Sequence, residues 1–159
     1  MQELEVDLYF SFRSPWSYFG AMQMYDLQQE YALRVNLLTV NPIYIRYNDF
    51  FDKAHEKWRP YFLTDLLRYS EYRGLPIGIP RPDPINVELP ADDPGHLVHK
   101  LTPLGLAAAA AGRGIEFARE VSMVVWNGQT MVFQGEPFFG QDKIELLVWR
   151  MQQKGLEKR

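Results

Sequence analysis

The chain contains no cysteine among its 159 residues. Without a thiol it can form no disulfide and has no thiol nucleophile of its own, so redox chemistry by its own side chains is excluded. At this length about 70% of the unfolded chain's surface can be buried on folding, and 47% of the residues are hydrophobic. The sequence therefore predicts one compact unit that needs no covalent or metal support.

Long hydrophobic runs are also absent. The longest, residues 104–111, contains a glycine and is far shorter than the roughly 20 apolar residues of a membrane-spanning helix. The first five residues include two acidic side chains and no basic one, whereas a secretory signal begins with basic residues. We therefore expect a cytoplasmic protein without a membrane partner.

Neither sign of charge dominates the composition. Seventeen Lys and Arg residues against twenty Asp and Glu residues give a net charge of -3, so the excess of positive charge that binds nucleic acid is missing. His96 and His99 lie three positions apart on a predicted helix, but no second cluster supplies further ligands. We expect neither a nucleic-acid partner nor a metal.

The first 40 residues have the pattern of a strand, a helix and a second strand. Alternating apolar and polar residues predict strands over about 4–12 and 33–40. Between them, Ser14 is a typical N-cap and Pro15 a typical first helical residue, and apolar residues at helical spacing extend the helix over 15–30. Such a β-α-β unit is expected to be parallel and right-handed.

Helices and a proline-rich segment occupy the middle of the chain. A helix is predicted over about 57–72, and 97–125 again has a helical pattern with a break at 112–114. One face of the first of these helices is marked by Trp58, Tyr61, Leu66 (or Phe62) and Tyr69. Six of the eleven prolines fall in 76–94, which excludes a helix or a central strand there. We expect this segment to be extended, either packed over the core or mobile.

The last third predicts two short strands, at 130–133 and 138–139, and then an amphipathic helix. The order β-α-β, helices, β-β-α is that of a thioredoxin-like domain interrupted by helices. The predicted fold class is therefore α/β, thioredoxin-like, with an inserted helical domain. Residues 1–45 and 130–159 would form the thioredoxin-like domain, and residues 46–129 the insert.

The segment 14–17 (SPWS) is the strongest candidate for chemistry. It lies where a strand gives way to a helix, and the positive end of a helix favours anions. Thiol–disulfide enzymes place a Cys-Pro-x-Cys motif there, which lowers the pKa of a cysteine. Here both sulfurs are replaced by oxygens, and the Ser14 hydroxyl could donate a hydrogen bond to the thiolate of a bound small thiol. The alternative is that Ser14 is only an N-cap.

Three separated segments extend this pattern. They are 7–18 (DLYFSFRSPWSY), the spaced residues Tyr61, Asp65 and Arg68 followed by GLP at 74–76, and 138–143 (FFGQDK). In this order they resemble the 2-hydroxychromene-2-carboxylate isomerases and the related kappa-class glutathione transferases. The resemblance covers most of the chain.

The resemblance implies a glutathione-dependent isomerase that works as a homodimer on an aromatic or conjugated carbonyl acid. Ser14 would hold the glutathione sulfur as a thiolate, which adds to a conjugated enone, lets the former double bond rotate and is eliminated unchanged. Gln141 and Asp142 would engage the γ-glutamyl end of glutathione.

Four further residues are candidates for binding glutathione: Trp16, Ser17, Asn41 and Lys57. Three of them have simpler alternative roles. Trp16 could shelter the thiolate, contact an aromatic substrate or only pack on its helix. Asn41 could only form a turn, and Lys57, one position from the family's usual lysine, could be a solvated helix residue.

The chain departs from the family before its hairpin. A proline, in the cis form, usually stands there and its backbone neighbours bind the cysteinyl part of glutathione, but no proline occurs between Pro103 and Pro137. The chain is also shorter than members of that family usually are, which indicates an internal deletion near Thr130. A kappa-type glutathione transferase, a non-catalytic glutathione-binding or dimerising remnant, and a thioredoxin-fold interaction domain therefore stay open as alternatives.

Overall fold

The structure is a computed structural model that describes residues 3–47, 49–126, 130–133, 136–139 and 144–155. Its elements in chain order are β1 (Leu4–Phe10), α1 (Pro15–Glu30), β2 (Leu33–Thr39), α2 (Ile43–Arg46), α3 (Phe50–Lys53), α4 (Trp58–Arg73), α5 (Val98–Ala110), α6 (Gly114–Trp126), β3 (Thr130–Phe133), β4 (Glu136–Phe139) and α7 (Ile144–Gln152). The predicted α/β class and element order are confirmed. The predicted division into two domains stays a prediction.

β1 and β2 are parallel, and their register runs from Leu4 opposite Leu33 to Phe10 opposite Thr39. β1 ends two residues earlier than predicted. The chain turns at this point, because the amide of Ser14 donates to the carbonyl of Ser11 at 3.1 Å. β3 and β4 pair antiparallel, and the described strands form two separate two-stranded sheets.

The main core lies where α5 and α6 cover the parallel strands. Its buried members are Phe10, Phe12, Ala21, Val35, Leu37, Ile85, Val98, Ile115 and Ala118. Gly105 in α5 is buried, and a Cβ there would lie 2.8 Å from Thr39 Cγ2 and 3.1 Å from Phe12 Cζ. The missing side chain therefore permits the close approach of α5 to the end of β2.

A second core joins α1, α4 and α6. Its buried members are Tyr18, Phe19, Met22, Leu66, Val125 and Trp126. α4 contributes Leu66, Phe62 and Tyr69, whereas Tyr61 is exposed. The prediction that Tyr61 shares one face with Trp58 and Tyr69 was wrong. A helix turns by about 100° per residue, and the face of α4 that packs on the second core contains Phe62 instead.

Residues 76–94 pack over the core, which decides between the two predicted alternatives. Pro84 and Ile85 are buried. The segment is held by backbone hydrogen bonds: Gly78 N donates to Trp126 O at 2.8 Å, and Val98 N donates to Pro84 O at 2.9 Å. Among the described residues, no helix is long and apolar enough to cross a membrane.

Candidate functional site at the start of the first helix

Ser14 caps α1, as the sequence predicts. Its backbone is extended, with φ -94° and ψ 121°, and its Oγ accepts a hydrogen bond from the amide of Ser17 at 3.3 Å. Pro15 occupies the first helical position, where its lack of an amide hydrogen costs nothing. A serine hydroxyl that accepts through a lone pair keeps its proton for donation. Ser14 can therefore cap the helix and donate to an anion at the same time.

Ser17 has a different task from Ser14. Its Oγ accepts a hydrogen bond from the amide of Ser11 at 3.1 Å, which ties the turn that follows β1 to the first turn of α1. Ser11 is only 8% exposed. Ser17 thus shapes the turn that presents Ser14, and its role toward glutathione stays a proposal.

The N-terminus of α1 provides partial positive charge at Ser14. α1 has 16 residues and no acidic residue in its first turn, so the partial positive charge at its N-terminus is not offset from within the helix. The neighbouring Arg13 forms an ion pair with Asp83 of the proline-rich segment, and its guanidinium carbon lies 5.5 Å from the centre of a Trp126 ring. These contacts anchor the turn without placing a negative charge on α1.

Trp16 is both packed and accessible. Its ring lies 5.5 Å from that of Tyr69, 5.9 Å from Phe19 and 6.3 Å from Phe62, and the residue is still 38% exposed. It therefore forms an apolar surface beside the helix start, where it can shield a bound sulfur or contact a substrate ring.

Asn41 lies at the same edge of the strands as Ser14. The two residues follow the carboxyl ends of the parallel strands β2 and β1, and the amide of Val40 donates to the carbonyl of Phe10 at 2.8 Å. Asn41 is exposed and directly precedes Pro42, the N-cap of α2. The structure thus brings Asn41 to the edge that carries the candidate site.

Lys57 is exposed at the N-cap position of α4, and its amide donates to His55 Nδ1 at 3.2 Å. The next residue, Trp58, stacks on Phe62 with ring centres 5.0 Å apart and an interplanar angle of 20°. Phe62 in turn contacts Trp16, so the ring contacts link Trp58, and not the Lys57 side chain itself, to the start of α1.

The other predicted binding residues, Gln141 and Asp142, lie outside the described residues. The predicted deletion near Thr130 adjoins residues 127–129, which also lie outside them. The role of this part of the chain stays a prediction.

Gly74 and Pro76 of the GLP segment have structural roles near the site. Gly74 ends α4 in the left-handed conformation at φ 62°, which glycine adopts readily. Two residues later, the carbonyl of Pro76 accepts a hydrogen bond from the Tyr18 hydroxyl at 2.9 Å. Burial raises the pKa of Tyr18 to about 12, so the phenol stays protonated and can donate. The GLP segment thus fixes α4 against α1.

His96 is a core residue. It is fully buried, its Nδ1 accepts from the amide of Asn86 at 3.2 Å, and its Nε2 lies 2.9 Å from the carbonyl of Pro90. These contacts hold the ring in place and close the loop 86–96. The described part of the chain contains no group of three or more His, Asp or Glu side chains arranged to hold a metal.

The sequence analysis missed a cleft beside α3. It has a volume of about 470 Å³ and is lined by Tyr47, Asp49, Phe50, Lys53, Ala54, His55 and Trp58. A larger cleft of about 560 Å³ runs along β2 from the amino ends of the strands, so it lies away from Ser14. Helices of four residues, such as α2 and α3, have too few residues to produce a periodic hydrophobic pattern, which explains the omission.

Comparison with solved structures identifies the fold. The chain is similar to the structure of a 2-hydroxychromene-2-carboxylate isomerase, with a TM-score of 0.55 and 16% sequence identity, over 95% of this chain and 96% of that chain. No protein-family model matches the sequence, and no curated protein was found as a relative. The likeness confirms that the chain has the thioredoxin-like fold with inserted helices that its sequence predicts.

Proposed function

We propose that this protein is a glutathione-dependent isomerase of the 2-hydroxychromene-2-carboxylate type, acting on an aromatic or conjugated carbonyl acid as a cytoplasmic homodimer. Ser14 is its proposed catalytic residue. Glutathione is its proposed cofactor, bound by Trp16, Ser17, Asn41, Lys57, Gln141 and Asp142.

The observation that carries the proposal is the Ser14 cap. The Ser14 oxygen is held at the N-terminus of a long helix by the amide of Ser17, and its hydroxyl proton is available to an anion. A hydrogen bond and a positive helix end each favour the charged form of a thiol, and so lower its pKa. The fold shared with an isomerase of this type supports the same site.

The Ser14 hydroxyl and the N-terminus of α1 suit a thiol ligand better than a substrate from which a general base must remove a proton. A general base beside Ser14 is not needed, because a hydrogen-bond donor and positive potential are enough to stabilise a thiolate. Glutathione, when bound, supplies the nucleophile for reversible addition to the conjugated bond. Ser14 donates to the sulfur, Trp16 restricts the access of water, and Ser17 keeps the turn in shape.

The remaining binding groups would hold the ends of the tripeptide. Lys57 is a suitable partner for a carboxylate, because it is an exposed cation at the start of α4. Asn41 can donate and accept at the same edge as Ser14. Asp142 is proposed to meet the ammonium group of the γ-glutamyl end, with Gln141 beside it.

The experiment that tests this function is an assay of 2-hydroxychromene-2-carboxylate with the purified protein, with and without glutathione. We expect loss of the chromene absorbance only when the protein and glutathione are both present. Mass spectrometry of the product separates the alternatives, since an isomerase gives a product of unchanged mass and a transferase gives a glutathione adduct. Binding of glutathione without turnover would indicate a non-catalytic remnant and contradict the proposal.

Three variants make the assay specific to Ser14. Ser14→Thr keeps both the cap and the donor, Ser14→Asp keeps the cap but removes the donor, and Ser14→Ala removes both. We expect activity in the threonine variant alone. Equal turnover in all three would show that Ser14 is only a helix cap.

A further inference from the structure

A hydrogen bond between Gln23 and Tyr69 joins α1 to α4. The side-chain amide of Gln23 donates to the Tyr69 hydroxyl, and both residues are half-buried. The two residues lie 46 positions apart in the chain, so only the packing of α4 against α1 brings them together. Neither residue belongs to the set that is proposed to bind glutathione.

The Tyr69 ring packs against aromatic residues at the start of α1. Its centre lies 5.5 Å from the Trp16 ring at an interplanar angle of 60°, and 5.0 Å from the Phe19 ring at 69°. Edge-to-face arrangements of this kind are a favoured geometry of aromatic pairs. Tyr69 therefore contacts Trp16 through its ring and Gln23 through its hydroxyl.

The hydrogen bond restricts the orientation of the Tyr69 ring. A side chain chooses among a few staggered rotamers, and a hydroxyl that is bonded at its far end favours one of them. On its other side Tyr69 meets Tyr72, which is 82% exposed, at 6.3 Å. Since Trp16 is itself 38% exposed, its indole depends on the neighbouring rings to keep one position.

We propose that Tyr69 and Gln23 are positioning residues for Trp16. Their hydrogen bond holds the Tyr69 ring against the indole, and so keeps the indole packed beside the start of α1. That this arrangement shields a bound thiolate rests on the proposed function, whereas the positioning of Trp16 does not.

The position of Trp16 is measured by proton–nitrogen correlation NMR of the indole N–H groups, without glutathione. The chain has four tryptophans, and Trp16→Phe identifies the Trp16 signal. A soluble gadolinium chelate broadens the signals of exposed indoles. Tyr69→Phe and Gln23→Met each remove the hydrogen bond, and each should raise the population of unpacked Trp16 about fivefold, as expected for the loss of one hydrogen bond. A thermal melt followed by circular dichroism checks that both variants are folded, and if one is unfolded the other decides.

Three further variants show whether the effect belongs to this bond. The double variant of Tyr69→Phe and Gln23→Met should be no worse than either single variant, because both remove the same contact. Gln23→Glu should leave Trp16 in place, because its carboxylate accepts the phenol proton and restores the bond with the donor reversed. Tyr61→Phe, on the exposed face of α4, should change nothing. An unchanged Trp16 signal in Tyr69→Phe and Gln23→Met, or the same change in Tyr61→Phe, would overturn the proposal.

A second measurement tests the shielding of the thiolate. Because the chain has no cysteine, glutathione bound to an excess of the protein is the only thiol in the sample. We expect iodoacetamide to alkylate bound glutathione about fivefold faster in Tyr69→Phe and Gln23→Met than in the unmodified chain. The affinity for glutathione in a calorimetric titration should change little. Equal alkylation rates in all three chains would overturn the shielding role.

The outcome is distinguishable from that of the isomerase assay. Absence of glutathione binding to the unmodified chain would overturn the proposed function, and the NMR signals would still decide whether Tyr69 positions Trp16. Turnover by the unmodified chain, together with an unchanged Trp16 signal in the two variants, would overturn the positioning role alone.

Discussion

The Oγ atom of Ser14 accepts the amide hydrogen of Ser17 at 3.3 Å, while the Oγ atom of Ser17 accepts that of Ser11 at 3.1 Å. Each serine of the motif therefore satisfies one backbone donor in the turn between β1 and α1. The three-residue spacing of the two serines allows the Ser17 amide to reach Ser14 Oγ. Because Ser14 Oγ is the acceptor, its hydroxyl proton remains for a ligand. Stability and thiolate binding can consequently be separated by mutation.

The cap predicts a stability difference between two substitutions of Ser14. Ser14→Ala should lower the free energy of unfolding by about 1 kcal/mol, because the Ser17 amide loses its acceptor, and Ser14→Asp should lower it little. Urea unfolding followed by circular dichroism measures both. If the alanine variant were as stable as the unmodified chain, the cap would contribute nothing.

Tyr18 predicts a loss of stability at alkaline pH. Its pKa is raised to about 12 in the folded chain, against about 10 when unfolded, so the folded state keeps a proton that the unfolded state releases. The stabilisation is fully present below pH 10 and is lost as the pH rises toward 12.

Tyr18→Phe tests this linkage. The variant should lose about 1 kcal/mol at neutral pH with the hydrogen bond to Pro76, and its stability should fall less steeply above pH 10. Glu30 raises the pKa of Tyr31 in the same sense, so the comparison of the two chains isolates Tyr18. Parallel curves for both chains in urea unfolding would contradict the assignment.

Two helical glycines predict opposite effects of alanine. A Cβ at Gly105 would press against Thr39 and Phe12, whereas a Cβ at Gly20 in α1 meets nothing within 4 Å. Gly105→Ala should therefore destabilise the chain by about 1–3 kcal/mol, and Gly20→Ala should stabilise it by about 0.5–1 kcal/mol. A denaturation midpoint that rises in Gly105→Ala would show that α5 does not approach β2 this closely.

The ion pair of Arg13 with Asp83 predicts a coupling between the Ser14 turn and the proline-rich segment. Asp83→Asn keeps an acceptor for the amide of Ile85, which Asp83 Oδ1 contacts at 2.9 Å, and removes only the charge. A double-mutant cycle with Arg13→Met should give a coupling of about 0.5–1 kcal/mol that falls with added salt. Strictly additive effects would mean that the pair contributes no stability.

The start of α1 was predictable because its signals are local. Ser14 and Pro15 fix the beginning of the helix, and alternation over seven residues fixes β1 and β2. The motif also located the candidate hydroxyl correctly at the helix N-terminus. Its task toward a thiol stays a prediction, because no contact within the chain requires it.

Other features depend on tertiary contacts that the sequence does not encode locally. Tyr61 and Phe62 are both aromatic, and only the packing of α4 on Trp16 selects Phe62 as the inner residue. The cleft beside α3 arises from two short helices and the ring contacts of Phe50 with Trp58. Periodicity contains no information about either.

The most direct test of the account is the ionisation of bound glutathione, followed by the ultraviolet absorbance of its thiolate as a function of pH. The account predicts that the bound thiol ionises at a lower pH than free glutathione, and that Ser14→Thr preserves this shift. It also predicts that Ser14→Ala returns the ionisation toward that of the free thiol, with Ser14→Asp raising it further by charge repulsion. The same ionisation curve for the unmodified chain and Ser14→Ala would contradict the central claim.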